Sequence, residues 1–294
     1  MAAVSFTYEE LVGRNLGFVT AAEQERIRTT PVFVCGVGGM GGACVQSLVR
    51  AGVGRLAIAD VDRFEVSNLN RQVFATLSTV GEEKASATAR ALRDVNPQLA
   101  LEVFGADWLD RLDTILAGHR VVVNGMDDVR AGIQLYRRAR EHGATVIDAY
   151  TSPLPSVTCV GPGDPRPEER LGFPTVGRAV AEITPQMLDD CKLREAEHVM
   201  THSSSVRHID LGIAAELFAG RRPRPSLAPM VITTGNLMAF EALGVILGRP
   251  SAAGPRGYFF DPWRGRVERP RPAPLAWAVR LLVRRELRRL LGRG

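Results

Sequence analysis

What the sequence lacks narrows it first. No run of apolar residues reaches the roughly 18 needed to cross a bilayer. The opening MAAVSFTYEE has no basic stretch followed by an apolar one, so the expectation is a cytoplasmic protein without a secretory leader. Cysteine is scarce: Cys35, Cys44, Cys159 and Cys191 are scattered and form no CxxC pair. That argues against both a disulfide framework and a structural zinc. Lysine is scarcer still. Of 37 basic residues only Lys84 and Lys192 are lysines, so each stands out against an arginine background.

What is present is enough for a folded chain. The 294 residues are 45% hydrophobic and 23% charged, which allows a sizeable core and excludes wholesale disorder. The formal charge of +5 is concentrated after Arg249. It is therefore a regional feature, and nucleic-acid binding does not follow for the fold as a whole.

Residues 4–30 read as a helical lead-in containing Arg14. Pro31 ends it, and Val32-Phe33-Val34-Cys35 has the unbroken apolarity of a buried parallel strand. Gly36-Val37-Gly38-Gly39-Met40-Gly41 then forms a G-x-G-x-x-G turn leading into a helix at 43–50. One glycine permits the tight turn, one admits phosphate close to the backbone, and one lets helix and strand approach. A second strand at 55–59 ends at Asp60, placed to accept hydrogen bonds from ribose hydroxyls. To this point an ATP enzyme, a nicotinamide enzyme and a flavin enzyme fit equally.

The next segment discriminates. Residues 62–72 are a polar loop in which Ser67, Asn68, Asn70 and Arg71 could reach phosphates. Ser78 or Thr79 could cap a helix over 82–95 with Lys84 in its first turn. A lysine there opposes the helix dipole. Either a polyphosphate compensates it, or it pairs with Glu82 or Glu83.

Strands are expected at 99–104, 121–124 and 145–149, alternating with helices at 108–117 and 133–142, as a doubly wound parallel sheet requires. Residues 150–180 are too rich in proline and glycine for long elements. Cys191 is a candidate nucleophile, and His198, His202 and His208 a weak candidate metal set. An apolar helix follows at 228–247, where Gly235, Ala239 and Ala242 allow close packing. A hairpin over 256–267 and a basic amphipathic helix end the chain. The fold class is thus α/β: a Rossmann-like doubly wound sheet, a C-terminal extension of helices and a short antiparallel hairpin. The expected parts are 1–150, the nucleotide-binding core; 151–228, a substrate or crossover segment; 229–270, completing the core; and 271–294, the basic helix. That last helix could dock on the protein, on a partner or on an anionic membrane.

The pattern GxGGxG…AGVG…D-x-D…SN-x-x-RQ…VG-x-x-K…NP resembles the ThiF/MoeB/HesA superfamily, prokaryotic relatives of ubiquitin-activating enzymes. The resemblance implies an adenylyltransferase using ATP and magnesium to activate a carboxylate, usually the C-terminus of a ubiquitin-like or sulfur-carrier protein. It places ATP on Gly36, Gly38, Gly39, Gly41, Asp60, Ser67, Asn68, Asn70, Arg71, Lys84, Asp127 and Asp128, with Asp127 on magnesium. Arg14 matches an arginine that reaches the partner subunit's nucleotide, which implies a homodimer. Cys191 falls where relatives keep a cysteine in a mobile crossover loop. Relatives with structural zinc carry two CxxC pairs in this half of the chain; here there are none, so no zinc is expected. Asp128 replaces the usual asparagine and Gly132 the usual arginine. The resulting Asp-x-Val-Arg form looks more like a threonylcarbamoyl-adenosine dehydratase acting on transfer RNA. An enzyme adenylating a peptide natural product and a non-catalytic nucleotide-binding scaffold also stay open.

Overall fold

The side chains of Val32, Phe33, Val34 and Cys35 are wholly buried, as the central strand of a sheet covered on both faces requires. In the computed structural model, which describes residues 5–218 and 220–290, this strand, β1 (Val32–Cys35), is flanked by β2 (Arg55–Ala59) and β4 (Val121–Asn124). Outside them lie β3 (Ala100–Phe104) and β5 (Thr145–Asp148). These five are parallel in the order β3-β2-β1-β4-β5. Three antiparallel strands extend the sheet: β6 (Ser156–Val160), β7 (Tyr258–Asp261) and β8 (Arg266–Glu268). The expected fold class is what the chain adopts, with the hairpin seated on the main sheet.

The helices are α1 (Tyr8–Val12), α2 (Ala21–Thr29), α3 (Gly39–Arg50), α4 (Lys84–Val95), α5 (Leu112–Gly118) and α6 (Val129–Glu141). Beyond β6 come α7 (Pro167–Arg170), α8 (Pro185–His202), α9 (Leu211–Phe218), α10 (Ala228–Ile246) and α11 (Ala273–Leu290). Alternate residues of β1 feed two cores. Val32 and Val34 pack with residues of α3, α4 and α10, while Phe33 and Cys35 pack with residues of α5 and α6.

Several boundaries differ from expectation, each for a local reason. The lead-in is two helices separated by a turn at Gly13–Asn15; α2 then starts on a Thr20/Glu23 capping box. α4 begins at Lys84, not 82, and neither Ser78 nor Thr79 caps it. The backbone before it pairs with the polar loop: Phe64 N–H donates to Glu82 O at 2.9 Å and Lys84 N–H to Asp62 O at 2.9 Å. α5 begins at Leu112 because Trp108 sits in a separate short turn, its ring 6.1 Å from Phe33. Residue 4 and residues 291–294 of the expected lead-in and terminal helix lie outside the described residues.

α10 forms where the apolar, closely packed helix is expected. It is 19 residues long with a mean hydropathy of 1.4, enough to span a membrane by length and composition. Here one side of it, with Met238, Ala239, Ala242 and Ile246, packs into the core, while Phe240 is exposed. A Cβ on Gly235 would lie 2.4 Å from the Met40 carbonyl oxygen and 2.7 Å from Ala43 Cβ. The small residues therefore let α10 press onto α3.

Candidate active site

The strand order reverses between β1 and β4, so the crevice beyond their carboxyl ends is where an open α/β sheet takes a ligand. Three glycines close together there. Gly36 has φ +80°, a backbone that side chains rarely adopt. A Cβ on Gly41 would sit 1.8 Å from the Gly36 carbonyl oxygen, and one on Gly125 would sit 2.4 Å from the same atom. Gly125 lies on the other strand of the switch point and belongs to no glycine motif readable in sequence. α3 opens at Gly39 with no side-chain cap on its first N–H groups, leaving them for an anion. Val231 of α10 roofs the turn, 2.6 Å from where a Gly39 Cβ would stand.

Asp60 stands at the end of β2. One carboxylate oxygen accepts from Val37 N–H at 2.8 Å and the other from Asp62 N–H at 2.9 Å. Each oxygen retains a lone pair for a hydroxyl. Burial raises its pKa, against those two backbone bonds and the positive charge of Lys84. Lys84 is 7% exposed and its ammonium donates to Asp62 Oδ2 at 2.9 Å. The pairing with Glu82 or Glu83 does not form; Arg90 and Arg63 take those carboxylates instead.

The polar loop is held from within. The buried Asn68 accepts from Glu65 N–H at 3.0 Å through Oδ1, so this amide builds the loop rather than pointing at the crevice. Ser67 donates to Glu65 at 3.1 Å. Arg71 is half-buried and donates to Ser67 O and Asn70 Oδ1, both at 2.9 Å. Gln72, in the sequence pattern but assigned no task, is buried beside Gly38; its Oε1 finds no partner. A buried acceptor left open at a glycine turn fits a nucleotide donor group.

Across the crevice, Asp127 is exposed, with Arg224 at 3.9 Å. Arg224 belongs to the segment 220–227, which also meets the polar loop where Asn70 Nδ2 donates to Ser226 O at 3.0 Å. This segment lies at the end of the expected 151–228 substrate or crossover part. The structure lays it over the crevice. Asp128 caps α6 through Oδ1 and Ala131 N–H at 3.1 Å, a structural role that occupies it locally. The early Arg130 donates to Val180 O and Ile183 O, tying α6 to the segment before α8.

The match to known proteins agrees with this arrangement: the model of the ThiF family aligns with residues 12–276. The chain belongs to the ThiF family. Among curated relatives, the Thermus thermophilus "Sulfur carrier protein adenylyltransferase" is 46% identical over 81 residues, 28% of this chain and 30% of the relative. The Bacillus subtilis "tRNA threonylcarbamoyladenosine dehydratase" is 40% identical over 83 residues, 27% of this chain and 33% of the relative. The chain thus spans about a third of the length of these two relatives. Among solved structures, PaaA superposes with TM-score 0.63 at 19% identity, covering 92% of this chain and 85% of that one, which shows a shared fold.

In this family member two expected site residues stand apart from the crevice. Arg14 lies in the exposed turn after α1. Its neighbour Asn15 donates to Ala51 O, at the far end of α3 and about 18 Å of helix from the glycine turn. The structure does not bring Arg14 to its own chain's site. Cys191 is not in a mobile loop. It is in the middle of α8, 0% exposed, against Ile133, Phe173 and Ile183. Burial pushes its thiol up to about 11, despite nearby Arg194. A group so enclosed and protonated is a poor nucleophile. Cys191→Ala is expected to retain activity and lose about 1 kcal/mol of stability, read by pyrophosphate release and a denaturant melt; loss of turnover with unchanged stability would restore the nucleophile.

The three histidines separate. His198 and His202 lie with ring centroids 4.4 Å apart and planes tilted by 47°, and burial lowers their pKa values to about 2 and about 4. His208 instead faces Asp261 at 3.3 Å. No group of three metal-ligating side chains forms among the described residues.

Asp148, at the end of β5, was not a sequence candidate. It accepts from Asn124 Nδ2 and Tyr136 Oη, both at 2.9 Å, and burial pushes its carboxyl up to about 7. Between about pH 4 and pH 7 the folded chain holds this proton and the unfolded chain does not. Its contribution to stability therefore falls as pH rises through that window and is flat above it. Relative to Asp148→Asn, the wild type should lose about 2 kcal/mol between pH 5 and pH 8. Paired thermal melts check this, and parallel curves refute it.

Proposed function

We propose that this chain is an ATP-dependent adenylyltransferase. It activates a carboxylate as an acyl-adenylate, the acceptor being the C-terminus of a small ubiquitin-like or sulfur-carrier protein or of a peptide. The observation that carries the reading is the switch point: interlocked Gly36, Gly41 and Gly125 with Asp60, Lys84 and Arg71 beside them and an exposed Asp127 opposite. The glycine turn offers backbone N–H groups to phosphate, and Asp60 receives the ribose hydroxyls. Lys84 and Arg71 oppose the charge of the triphosphate. Asp127 suits magnesium, because its carboxylate is exposed and a hard cation prefers such oxygens. When bound there, magnesium would neutralise phosphate charge.

The acceptor carboxylate attacks the α-phosphorus as an anion, and pyrophosphate leaves with the electron pair of the broken P–O bond. No base is required. The protein's work is positioning and charge neutralisation, which dominate phosphoryl-type transfers. The name and identity of the Thermus thermophilus relative support this reading. A homodimer belongs to it, since Arg14 is exposed at a distance from its own crevice, where it would be free to serve a second copy.

A second reading keeps the same site. Asp128-Val129-Arg130 and the likeness to the Bacillus subtilis dehydratase favour a threonylcarbamoyl-adenosine carboxylate on transfer RNA as acceptor. Incubating the chain with labelled pyrophosphate, magnesium and ATP separates them. Exchange stimulated by a carrier protein ending in Gly-Gly or by a peptide supports the first. Exchange stimulated only by the modified transfer RNA supports the second, and none with any acceptor sinks both.

A further inference from the structure

α11 is apolar on two opposite faces, and only one is used. Ala276, Val283 and Leu287 are buried, and α11 packs on α8, where Arg280 and Arg284 both reach Glu197, at 3.2 and 2.9 Å. The opposite side carries Leu275, Trp277, Leu281 and Leu282, which are 53%, 66%, 48% and 68% exposed. Trp277 and Leu281, four apart, and Leu275 and Leu282, seven apart, form two rows that together cover the half of the helix facing away from Ala276, Val283 and Leu287. Arg285, Arg288 and Arg289 continue that side toward the C-terminus, exposed and without an ion pair among the described residues.

We propose that this face of α11 is a peripheral docking surface for an anionic lipid bilayer. The charge selects the occupant: an apolar stripe followed by three unneutralised arginines complements an anionic interface. A second copy laid parallel against it would oppose like charges, and one laid antiparallel would press unpaired arginines onto the apolar stripe. The area selects it too. The outer half of an 18-residue helix offers about 400 Å², well below the roughly 800 Å² per partner of a stable protein interface. A lipid surface needs no matching shape. It accepts Trp and Leu into its headgroup region, and each nearby arginine adds about 1 kcal/mol at low salt. The leucines argue against RNA, which offers phosphates and stackable bases but nothing for aliphatic side chains to enter. The proposal is independent of the acceptor and of the chemistry at the switch point.

The test is co-sedimentation of the full chain with vesicles of phosphatidylcholine alone or with 30% phosphatidylglycerol, at about 0.1 M salt. At least tenfold more protein should pellet with the anionic vesicles, and Trp fluorescence should shift to the blue. Leu281→Asp with Leu282→Asp should abolish binding, while Arg288→Glu with Arg289→Glu or 0.5 M salt should weaken it severalfold. All four side chains point to solvent, so unchanged melting temperatures confirm folded variants. No pelleting with anionic vesicles overturns the proposal. So does binding that survives the double aspartate variant, or retention of transfer RNA in place of vesicles.

Discussion

Lys84→Ala is expected to lower pyrophosphate–ATP exchange by a factor of about 10²–10³, the loss typical of removing one well-placed charge-stabilising donor. The fold should survive. The ammonium is held at 2.9 Å by Asp62, whose own side chain is 63% exposed, so removing the lysine leaves a carboxylate that water can solvate. That asymmetry separates a functional lysine from a structural one. A buried cation whose one ion-pair partner among the described residues faces solvent contributes little stability through that pair, yet it stands near Asp60 at the end of β2. Asp127→Ala should cause a comparable loss by removing the exposed carboxylate opposite Arg224. Calorimetric titration with magnesium–ATP and a melt on each variant complete the test. Wild-type exchange in both would remove the switch point as the catalytic site.

The second large effect is structural. Gly41→Ala should destabilise the chain by about 3 kcal/mol or more, although alanine ordinarily gains about 1 kcal/mol over glycine inside a helix. The new methyl would stand 1.8 Å from the Gly36 carbonyl oxygen and 2.9 Å from its carbon, and neither atom belongs to a movable side chain. Gly36 cannot retreat, because a Cβ on it would already lie 2.8 Å from the backbone of Gly125 and Met126. The natural control is Gly244→Ala in α10, where nothing lies within 4 Å; there the usual gain of up to about 1 kcal/mol should appear. Urea midpoints for both report the contrast. Equal shifts would mean that the turn relaxes and the three glycines are not interlocked.

These effects also show how far the sequence could be read. The unbroken apolarity of 32–35 and 121–123 marks buried parallel strands, because no strand with an exposed face tolerates that composition. The glycine turn and Asp60 were legible as a candidate nucleotide site because their spacing along one βαβ unit is short and stereotyped, whereas Lys84 entered through the resemblance to a family. Asn68 and Asp128 were legible as polar but not as structural. Whether an amide or carboxylate faces a ligand or closes its own turn depends on backbone angles that composition does not encode. Cys191 illustrates the same limit, since its burial depends on what α6 and the segment 171–183 place around it.

By itself, then, the sequence determined the parallel strands, the glycine turn and the place of Asp60 at the end of β2, all set by local periodicity and short spacings. Only the tertiary structure decided that Gly125 interlocks with Gly36 and Gly41, that Lys84 chooses Asp62, that Arg224 lies over Asp127, and that α11 leaves one apolar face to solvent. Each joins residues from separate elements, and such contacts follow from how strands order and helices pack rather than from neighbours along the chain.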